Sequence, residues 1–209
     1  GCPACTVPYR YPTVQAAASA RCTEIYLLEG TPRNLTLTNP PEDVTIRPIS
    51  NGVELGFIQL RLDEGNPRSV WFEGGACEGF SAINADRRGS VTVDGLRISG
   101  VESSGPVGTV AGFNISVRNC RFMDNTVTND RQTGILSLRE AQDFEVVGNT
   151  FAGNRVGGED PEAISGAMYI QGDLSQGLIA GNLFARNAVA AVDGAGAFYA
   201  DSGVRNIRL

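Results

Sequence analysis

Histidine and lysine are both absent from this 209-residue sequence, and all 17 basic residues are arginine. Zinc sites need four ligands held close together, and Cys2 and Cys5 have no histidine and no second close cysteine pair to complete such a site. No apolar run approaches the roughly 20 residues that span a bilayer. The arginines are dispersed and the net charge is −6, which is not typical of nucleic-acid-binding proteins. The sequence therefore predicts no metal, no cofactor, no nucleic-acid partner and no membrane insertion.

Turn-forming residues are frequent. The chain has 26 glycines and 10 prolines, and 19% of its residues are charged. This composition favours short strands separated by many tight turns over a helical protein. With 42% hydrophobic residues, the chain is long enough to bury one sizeable core, and we expect a single domain over residues 1–209.

The five cysteines are Cys2, Cys5, Cys22, Cys77 and Cys120. A redox role for Cys2 and Cys5 would need a helix N-terminus that lowers the thiol pKa, whereas this pair lies in an irregular segment. We expect disulfides among Cys2, Cys5, Cys22 and Cys77, with Cys22 bonded to Cys2 or to Cys5. Such a short loop closure stabilises the fold by roughly 3 kcal/mol. Disulfides predict an oxidising compartment, so the protein is expected to be secreted, outside the cell or at its surface.

Two triplets match the acceptor pattern for N-linked glycans. They begin at Asn34 and Asn114, with Thr36 and Ser116 at the hydroxyl position. This pattern is meaningful only in a secreted protein and arises readily by chance. Both asparagines are therefore candidate glycosylation sites.

The only helix signal lies near the start of the chain. Thr13 is a suitable N-cap, and Val14, Ala17 and Ala18 share one face of a helix that continues to Ala20. A helix of two turns is unstable alone, so we expect it to cover an apolar surface. Short β-type segments follow at residues 25–28, 34–38, 44–46, 57–62, 70–72, 81–83 and 91–98. Their turn spacing alone would also suit an antiparallel sandwich.

Internal repeats distinguish between these architectures. Residues 117–125, 146–154 and 179–187 align without gaps, each with a phenylalanine followed three positions later by asparagine. The phenylalanines are 29 and then 33 residues apart, and a weaker copy covers residues 93–101. Periods of this size predict a solenoid, in which each coil buries its apolar face against the next.

Equivalent side chains of successive coils should then stack in columns. One inward column contains Ile98, Phe122, Phe151 and Phe184. Two positions earlier in each repeat, Asn149 lies beneath Asn182, where side-chain amides can hydrogen-bond along the axis. Cys120 occupies that same inward column and is expected to be a buried free thiol. A second asparagine ladder is predicted from Asn125, Asn154 and Asn187.

These residues resemble the parallel β-helix proteins of the pectin-lyase-like superfamily. Residues 11–17, leading to residues 25–30 and 44–46, look like that superfamily's N-terminal capping helix and first coil. The Phe-x-x-Asn segments, alternating with Gly-Gly-Ala at residues 74–76 and its variants at 165–167 and 195–197, are similar to polymorphic outer-membrane protein repeats of autotransporter adhesins. The resemblance implies an all-β, single-stranded right-handed parallel β-helix. Residues 1–30 would form the cap and first strand, and residues 31–209 the coils.

The resemblance leaves catalysis open, since that superfamily holds lyases, hydrolases, esterases and adhesins. Its hydrolases pair aspartates and use an essential histidine, and neither pattern occurs in this sequence. Asp143, after Gln142, is similar to the esterase pattern, but no second such aspartate lies one coil away. The acidic residues 159–162 and the polar residues 129–132 are expected to be solvated turns. We therefore predict no catalytic residue.

The expected function is structural or adhesive. Residues 204–209 look like the start of another repeat without a cap, which predicts further coils or end-to-end self-association into a filament. The alternative is a β-helix that binds or degrades polysaccharide. Exposed rings for that alternative would come from Tyr9, Tyr11, Trp71, Tyr169 and Tyr199, the last two lying one coil apart.

Overall fold

The computed structural model describes residues 5–49, 53–128, 133–157, 165–172, 175–190, 194–200 and 205–208. Within these residues the protein is rich in strands and contains one short helix, α1 (Val14–Ser19). The first strands are β1 (Cys5–Val7), β2 (Glu24–Leu27), β3 (Leu35–Thr38), β4 (Val44–Pro48), β5 (Leu55–Leu62), β6 (Ser69–Glu73), β7 (Cys77–Asn84), β8 (Ser90–Asp94), β9 (Arg97–Ser99), β10 (Glu102–Ser103), β11 (Gly108–Phe113) and β12 (Ile115–Arg118). The later strands are β13 (Arg121–Met123), β14 (Thr126–Val127), β15 (Leu136–Gln142), β16 (Glu145–Val147), β17 (Thr150–Ala152), β18 (Arg155–Val156), β19 (Met168–Gln171), β20 (Ser175–Ala180), β21 (Leu183–Ala185), β22 (Ala188–Val189), β23 (Phe198–Ala200) and β24 (Arg205–Arg208).

The strands stack in four ladders. Ladder A contains β1, β2, β4, β6, β8, β12, β16, β20 and β24, and ladder D contains β3, β5, β7, β11, β15, β19 and β23; the pairing of Gln142 with Ser175 joins these two ladders into one sheet. Ladder B contains β9, β13, β17 and β21, and ladder C contains β10, β14, β18 and β22. All pairings between these described strands are parallel, for example Val117 with Val146 and Val146 with Ile179. The all-β class is confirmed, and the antiparallel sandwich that the turn spacing also allowed is excluded.

Neighbouring strands of a ladder come from successive passes of the chain, as in a solenoid. We call the chain from one ladder A strand to the next a coil. The coils from β8 onward carry four strands, the three coils that begin at β2, β4 and β6 carry two, and the first coil carries β1 and helix α1. The predicted strand at residues 91–98 is therefore divided into β8 and β9. The division occurs because Gly95 has φ +71°, a left-handed conformation that turns the chain at a corner.

Helix α1 is fixed by its first residue and by its apolar face. The Thr13 side chain accepts a hydrogen bond from the backbone N–H of Ala16 at 3.1 Å, which satisfies a free donor of the first turn. Val14, Ala17 and Ala18 are buried. The Gln15 side chain also accepts the backbone N–H of Thr38 in β3 at 2.7 Å. The helix thus packs against β1, β2 and β3, as its apolar face predicts.

A column of apolar side chains fills the interior behind ladder B. Phe122 pairs in register with Ile98 on one side and with Phe151 on the other, and Phe151 pairs with Phe184. The rings of Phe122 and Phe151 are stacked, with centroids 4.7 Å apart and planes inclined by 2°. The rings of Phe151 and Phe184 follow at 5.2 Å. The structure thus places the three phenylalanines in one file, in the order of the repeats.

A first asparagine ladder lies at the corner between ladders A and B. Asn149 Nδ2 donates to Asn182 Oδ1 at 3.0 Å and to the carbonyl of Val117 at 2.9 Å. Asn149 Oδ1 accepts the backbone N–H of Cys120 at 2.8 Å. Asn182 Nδ2 donates in the same way to the carbonyl of Val146 at 2.7 Å. Each side chain therefore satisfies buried backbone groups of the preceding coil, which would otherwise lack partners at the turn.

The second asparagine ladder repeats this arrangement at the corner between ladders B and C. Asn125 Nδ2 donates to Asn154 Oδ1 at 3.0 Å, and Asn154 Nδ2 donates to Asn187 Oδ1 at 2.8 Å. Asn154 Nδ2 also donates to the carbonyl of Phe122 at 2.9 Å. Asn125 and Asn154 are fully enclosed. The two ladders hold the corners on either side of the phenylalanine column.

One disulfide joins Cys5 in β1 to Cys22, which follows α1, with their Cα atoms 6.1 Å apart. It therefore clamps the helix and the first strand together. Cys2 lies outside the described residues. Cys77 is a free buried thiol on β7, so its predicted part in a disulfide is wrong. Cys120 is likewise free and buried.

An acidic side chain ties together turns of two neighbouring coils. Asp86 is buried and accepts the backbone N–H groups of Arg88 and Gly65, each at 2.8 Å. The Arg88 guanidinium lies 3.4 Å from the same carboxylate. The backbone N–H of Arg88, followed by its side chain, lowers the pKa of Asp86 below its usual value.

Replacement of Asn149 by alanine tests the first ladder. Asn149→Ala removes the partners of the Cys120 N–H and the Val117 carbonyl, and each buried unsatisfied group costs about 1–3 kcal/mol. We expect the free energy of unfolding to fall by about 2–6 kcal/mol, measured by urea denaturation. Asn119→Ala, at an exposed corner residue, is the control and should cost clearly less. An equal loss in both variants would contradict the structural role of the ladder.

The two free thiols should be inert in the native protein. Burial raises the pKa of Cys77 and of Cys120 to about 12, and only the thiolate reacts. We expect no alkylation of either by iodoacetamide at pH 8, and full alkylation of both in 6 M guanidinium on the order of minutes. Peptide mapping by mass spectrometry distinguishes the sites. Rapid native labelling of either cysteine would contradict its enclosure.

Acid should weaken the fold through Asp86. A carboxylate whose folded pKa is lowered stabilises the native state fully above its unfolded pKa of about 4, and this stabilisation is lost as the pH falls through the folded value. We expect Asp86→Asn to lower the Tm at pH 7 and the difference from the parent to shrink below about pH 4. Calorimetry at both pH values measures this. Glu102→Gln, at an exposed carboxylate, is the control, and a pH-independent Asp86→Asn effect would contradict the assignment.

Candidate functional site

The outer face of ladder A carries a series of polar and charged side chains. Side chains alternate between core and solvent along each strand, so Ile25 and Ile46 point inward while Tyr26 and Arg47 pair in register outside. Asp94 is in register with Glu73 on one side and with Arg118 on the other. Parallel stacking therefore brings together side chains that lie more than twenty residues apart in sequence.

A groove of about 510 Å³ crosses this face at β2, β4 and β6. It is lined by Thr23, Glu24, Glu42, Asp43, Val44, Thr45, Ser69 and Trp71; we call it the Trp71 groove. Trp71 is 42% exposed although it lies mid-strand, because its position faces outward between the buried Val70 and Phe72. An exposed indole beside carboxylates combines an apolar face with hydrogen-bond acceptors.

Ion pairs hold the carboxylates of the groove. The Glu42 carboxylate forms ion pairs with the guanidinium groups of Arg21, at 2.8 Å, and of Arg68, at 3.8 Å. The Asp43 carboxylate accepts the backbone N–H of Ser69 at 2.8 Å. These contacts fix the acidic wall of the groove, although exposed pairs of this kind contribute little to stability.

Hydrogen bonds and ion pairs also link Tyr26, Glu24, Arg47 and Glu73 on strands β2, β4 and β6. The Tyr26 hydroxyl donates to Glu24 at 2.7 Å, and this hydrogen bond raises the pKa of Tyr26. Arg47 lies 3.6 Å from Glu24 and donates to Glu73, and the bond to Glu73 raises the pKa of Arg47. Both shifts favour the protonated hydroxyl and the charged guanidinium, so Tyr26 acts as a hydrogen-bond donor and Arg47 as a fixed cation.

A second groove, of about 520 Å³, lies on the far coils of the same ladder. It is lined by Asp143, Phe144, Glu145, Gln176, Gly177, Leu178 and Arg208. Glu145 is engaged by Arg118 of the preceding coil. This groove contains Asp143, the residue similar to the esterase pattern. Within the described residues, no three cysteine or carboxylate side chains are grouped so as to hold a metal ion.

The structure corrects one predicted carbohydrate surface. Tyr169 and Tyr199 are adjacent in register and their rings are stacked 6.1 Å apart, but Tyr169 is completely buried. The predicted strip of sugar-binding rings at these two residues is therefore wrong. The spacing of one coil predicts that the two tyrosines are neighbours, but it does not show that Tyr169 is buried. Tyr9 is the most exposed aromatic ring among the described residues, at 75%.

The remaining predicted residues fall in different settings. Asn34 is exposed, whereas Asn114 is half-buried at a corner. The turns at residues 129–132 and 159–162 lie outside the described residues. The sequence analysis named Trp71 but missed Glu24, Glu42 and Asp43. The acidic pair after Pro40 and Pro41 is a visible signal in the sequence. The sequence does not reveal the strand register that brings this pair to Trp71.

Among the described helices, none is long and apolar enough to span a membrane.

Comparisons with protein-family models, with curated proteins and with solved structures gave no match to this chain. The functional interpretation therefore depends on the geometry of the ladders and of the two grooves.

Proposed function

We propose that this chain is a right-handed parallel β-helix that acts outside the cell as a non-catalytic structural or adhesive module. The single observation that carries the proposal is the continuous inner stack from Ile98 to Phe184, flanked by an asparagine ladder at each corner. We expect such a stack to make the outer faces rigid. A rigid face that carries a groove is suited to holding an extended partner.

The handedness and the role of α1 follow from general rules of chain connection. Crossovers between neighbouring parallel strands are right-handed in roughly 98% of cases. In α1, the Gln15 side chain accepts a hydrogen bond from the backbone N–H of Thr38 in β3, the strand at the end of ladder D. A covered edge resists the addition of foreign strands, so we assign α1 as the cap of this end of the solenoid.

The Cys5–Cys22 disulfide supports a location outside the cell. Disulfides persist in oxidising compartments and are rare in the cytosol. The proposal therefore includes secretion, with the protein at a cell surface or in the extracellular matrix.

The Trp71 groove is the proposed adhesive surface, with carbohydrate polymer as the partner. A sugar ring offers an apolar face to Trp71 and hydroxyl donors to Glu24, Glu42 and Asp43, all of which line the groove. Because these carboxylates are already oriented by ion pairs or backbone hydrogen bonds, binding would not require them to become ordered.

A sedimentation assay tests the adhesive role. We expect the protein to co-sediment with at least one of insoluble cellulose, chitin or calcium-alginate beads. Trp71→Ala should weaken that binding about tenfold, the value of an aromatic contact of about 1.4 kcal/mol. Tyr9→Ala removes an exposed ring that does not line the groove and should bind like the parent. Absence of binding to all three polymers, or an equal effect of both substitutions, would contradict the proposal.

The alternative is an enzyme that degrades polysaccharide, and the second groove favours it because Asp143, Glu145 and Arg208 line one cleft. Release of reducing ends or of unsaturated uronates from the same polymers, lost in Asp143→Asn, would contradict the non-catalytic proposal and support the enzyme.

End-to-end self-association stays a prediction. Analytical ultracentrifugation over a hundredfold concentration range would detect it as a mass that grows with concentration.

A further inference from the structure

The two candidate glycan acceptors differ in what their side-chain amides already bind. Asn34 is exposed just before β3. Its Oδ1 accepts the backbone N–H of Phe57 at 3.2 Å, and within the described part of the chain its Nδ2 makes no hydrogen bond. The hydroxyl residue of the triplet, Thr36, is also exposed on β3. The oxygen is thus anchored while the nitrogen that would carry a glycan is open to solvent.

Asn114 has the opposite arrangement. Its Nδ2 donates to the carbonyl of Arg87 at 2.6 Å and to that of Gly89 at 3.0 Å, and its φ is +49°. Ser116, the hydroxyl residue of this triplet, is buried. A substituent on Nδ2 would remove one of these two donors and would have to displace the chain at residues 87–89. The native corner therefore excludes a glycan at Asn114.

The chain next to Asn34 provides an aromatic contact surface. The pairing of Leu35 with Ile58 places Phe57 beside Asn34 in the next coil. The Phe57 ring is 44% exposed, with one side lying on Gly79, where an added Cβ would come within 3.2 Å of the ring. An exposed phenylalanine in the middle of a strand is unusual for a solvated face, and a sugar can cover it.

Gly56 gives the Asn34 side chain its space. A Cβ at residue 56 would lie 2.9 Å from Asn34 Oδ1 and 3.4 Å from Glu78 Oε2. Glu78 in turn is engaged by Arg33, the residue before Asn34. The backbone and its neighbours therefore hold the Asn34 amide oxygen at the backbone N–H of Phe57.

We propose that Asn34 carries an N-linked glycan whose first sugar lies on the Phe57 ring, and that Asn114 remains unmodified. The proposal rests on the secretion included in the proposed function. A bond forms between Asn34 Nδ2 and the anomeric carbon of a lipid-linked glycosyl diphosphate donor. The bond from that carbon to the diphosphate breaks, the lipid diphosphate leaves, and one amide proton is released to base. The nitrogen keeps one N–H, and Oδ1 keeps its bond to Phe57.

The test is expression of the full chain through the secretory pathway of a eukaryotic host, followed by intact mass with and without peptide N-glycosidase. We expect one glycan, lost in Thr36→Ala and retained in Ser116→Ala. Thr36→Ala leaves Asn34 and its hydrogen bond to Phe57 in place, so loss of the glycan does not depend on misfolding. Secreted, folded protein without a glycan at Asn34, or with a glycan at Asn114, overturns the proposal.

A second measurement tests the contact with Phe57. The glycosylated parent should have a Tm about 2–4 °C above that of the enzymatically deglycosylated parent, as expected for an aromatic contact of about 1 kcal/mol. In Phe57→Ala this difference should vanish while occupancy of Asn34 is kept. An equal Tm gain in both proteins overturns the stacked geometry. Sedimentation with polysaccharides is done on deglycosylated protein, so its result and that of the glycan mapping are independent.

Discussion

The structure depends on the alignment of equivalent side chains along the axis of the solenoid. A coil of this chain cannot close its own backbone hydrogen bonds or bury its own apolar face, so both tasks fall to the coils above and below. Asn149 and Asn154 show the constraint most directly, because each donates to a carbonyl of the preceding coil and to the equivalent asparagine of the following coil. A shift of register by one residue would break both ladders and separate the phenylalanine rings.

The same alignment creates the outer surface. Once Val70 and Phe72 are held inside, Trp71 must face solvent, and the ladder places it beside side chains from β2 and β4. The parallel face then collects polar groups that are distant in sequence. The inner stack and the composition of the outer surface are therefore two results of one arrangement, so the proposed structural role and the proposed adhesive role are compatible.

Fold and interior were largely predictable. The Phe-x-x-Asn repeats lie 29 and 33 residues apart, and their strands are in register despite the unequal spacing. The columns could therefore be predicted from the sequence alone. Cys77 could not be assigned correctly, since a count of cysteines does not show which thiols are enclosed. The prediction that Tyr169 is exposed was wrong for a similar reason. The repeat period showed that Tyr169 lies beside Tyr199 but not that it is buried.

The sequence by itself determined the period, the inward residues of each repeat and the short helix after Thr13, because these depend on local propensity and on spacing along one chain. Only the tertiary structure decided which outward residues line one groove, such as Trp71 with Glu24 and Glu42. It also decided which side-chain amide nitrogens donate hydrogen bonds within the described residues, as at Asn114 but not at Asn34. The physical reason is that outward side chains carry no packing constraint that leaves a pattern in the sequence. Their neighbours are set by strand register alone.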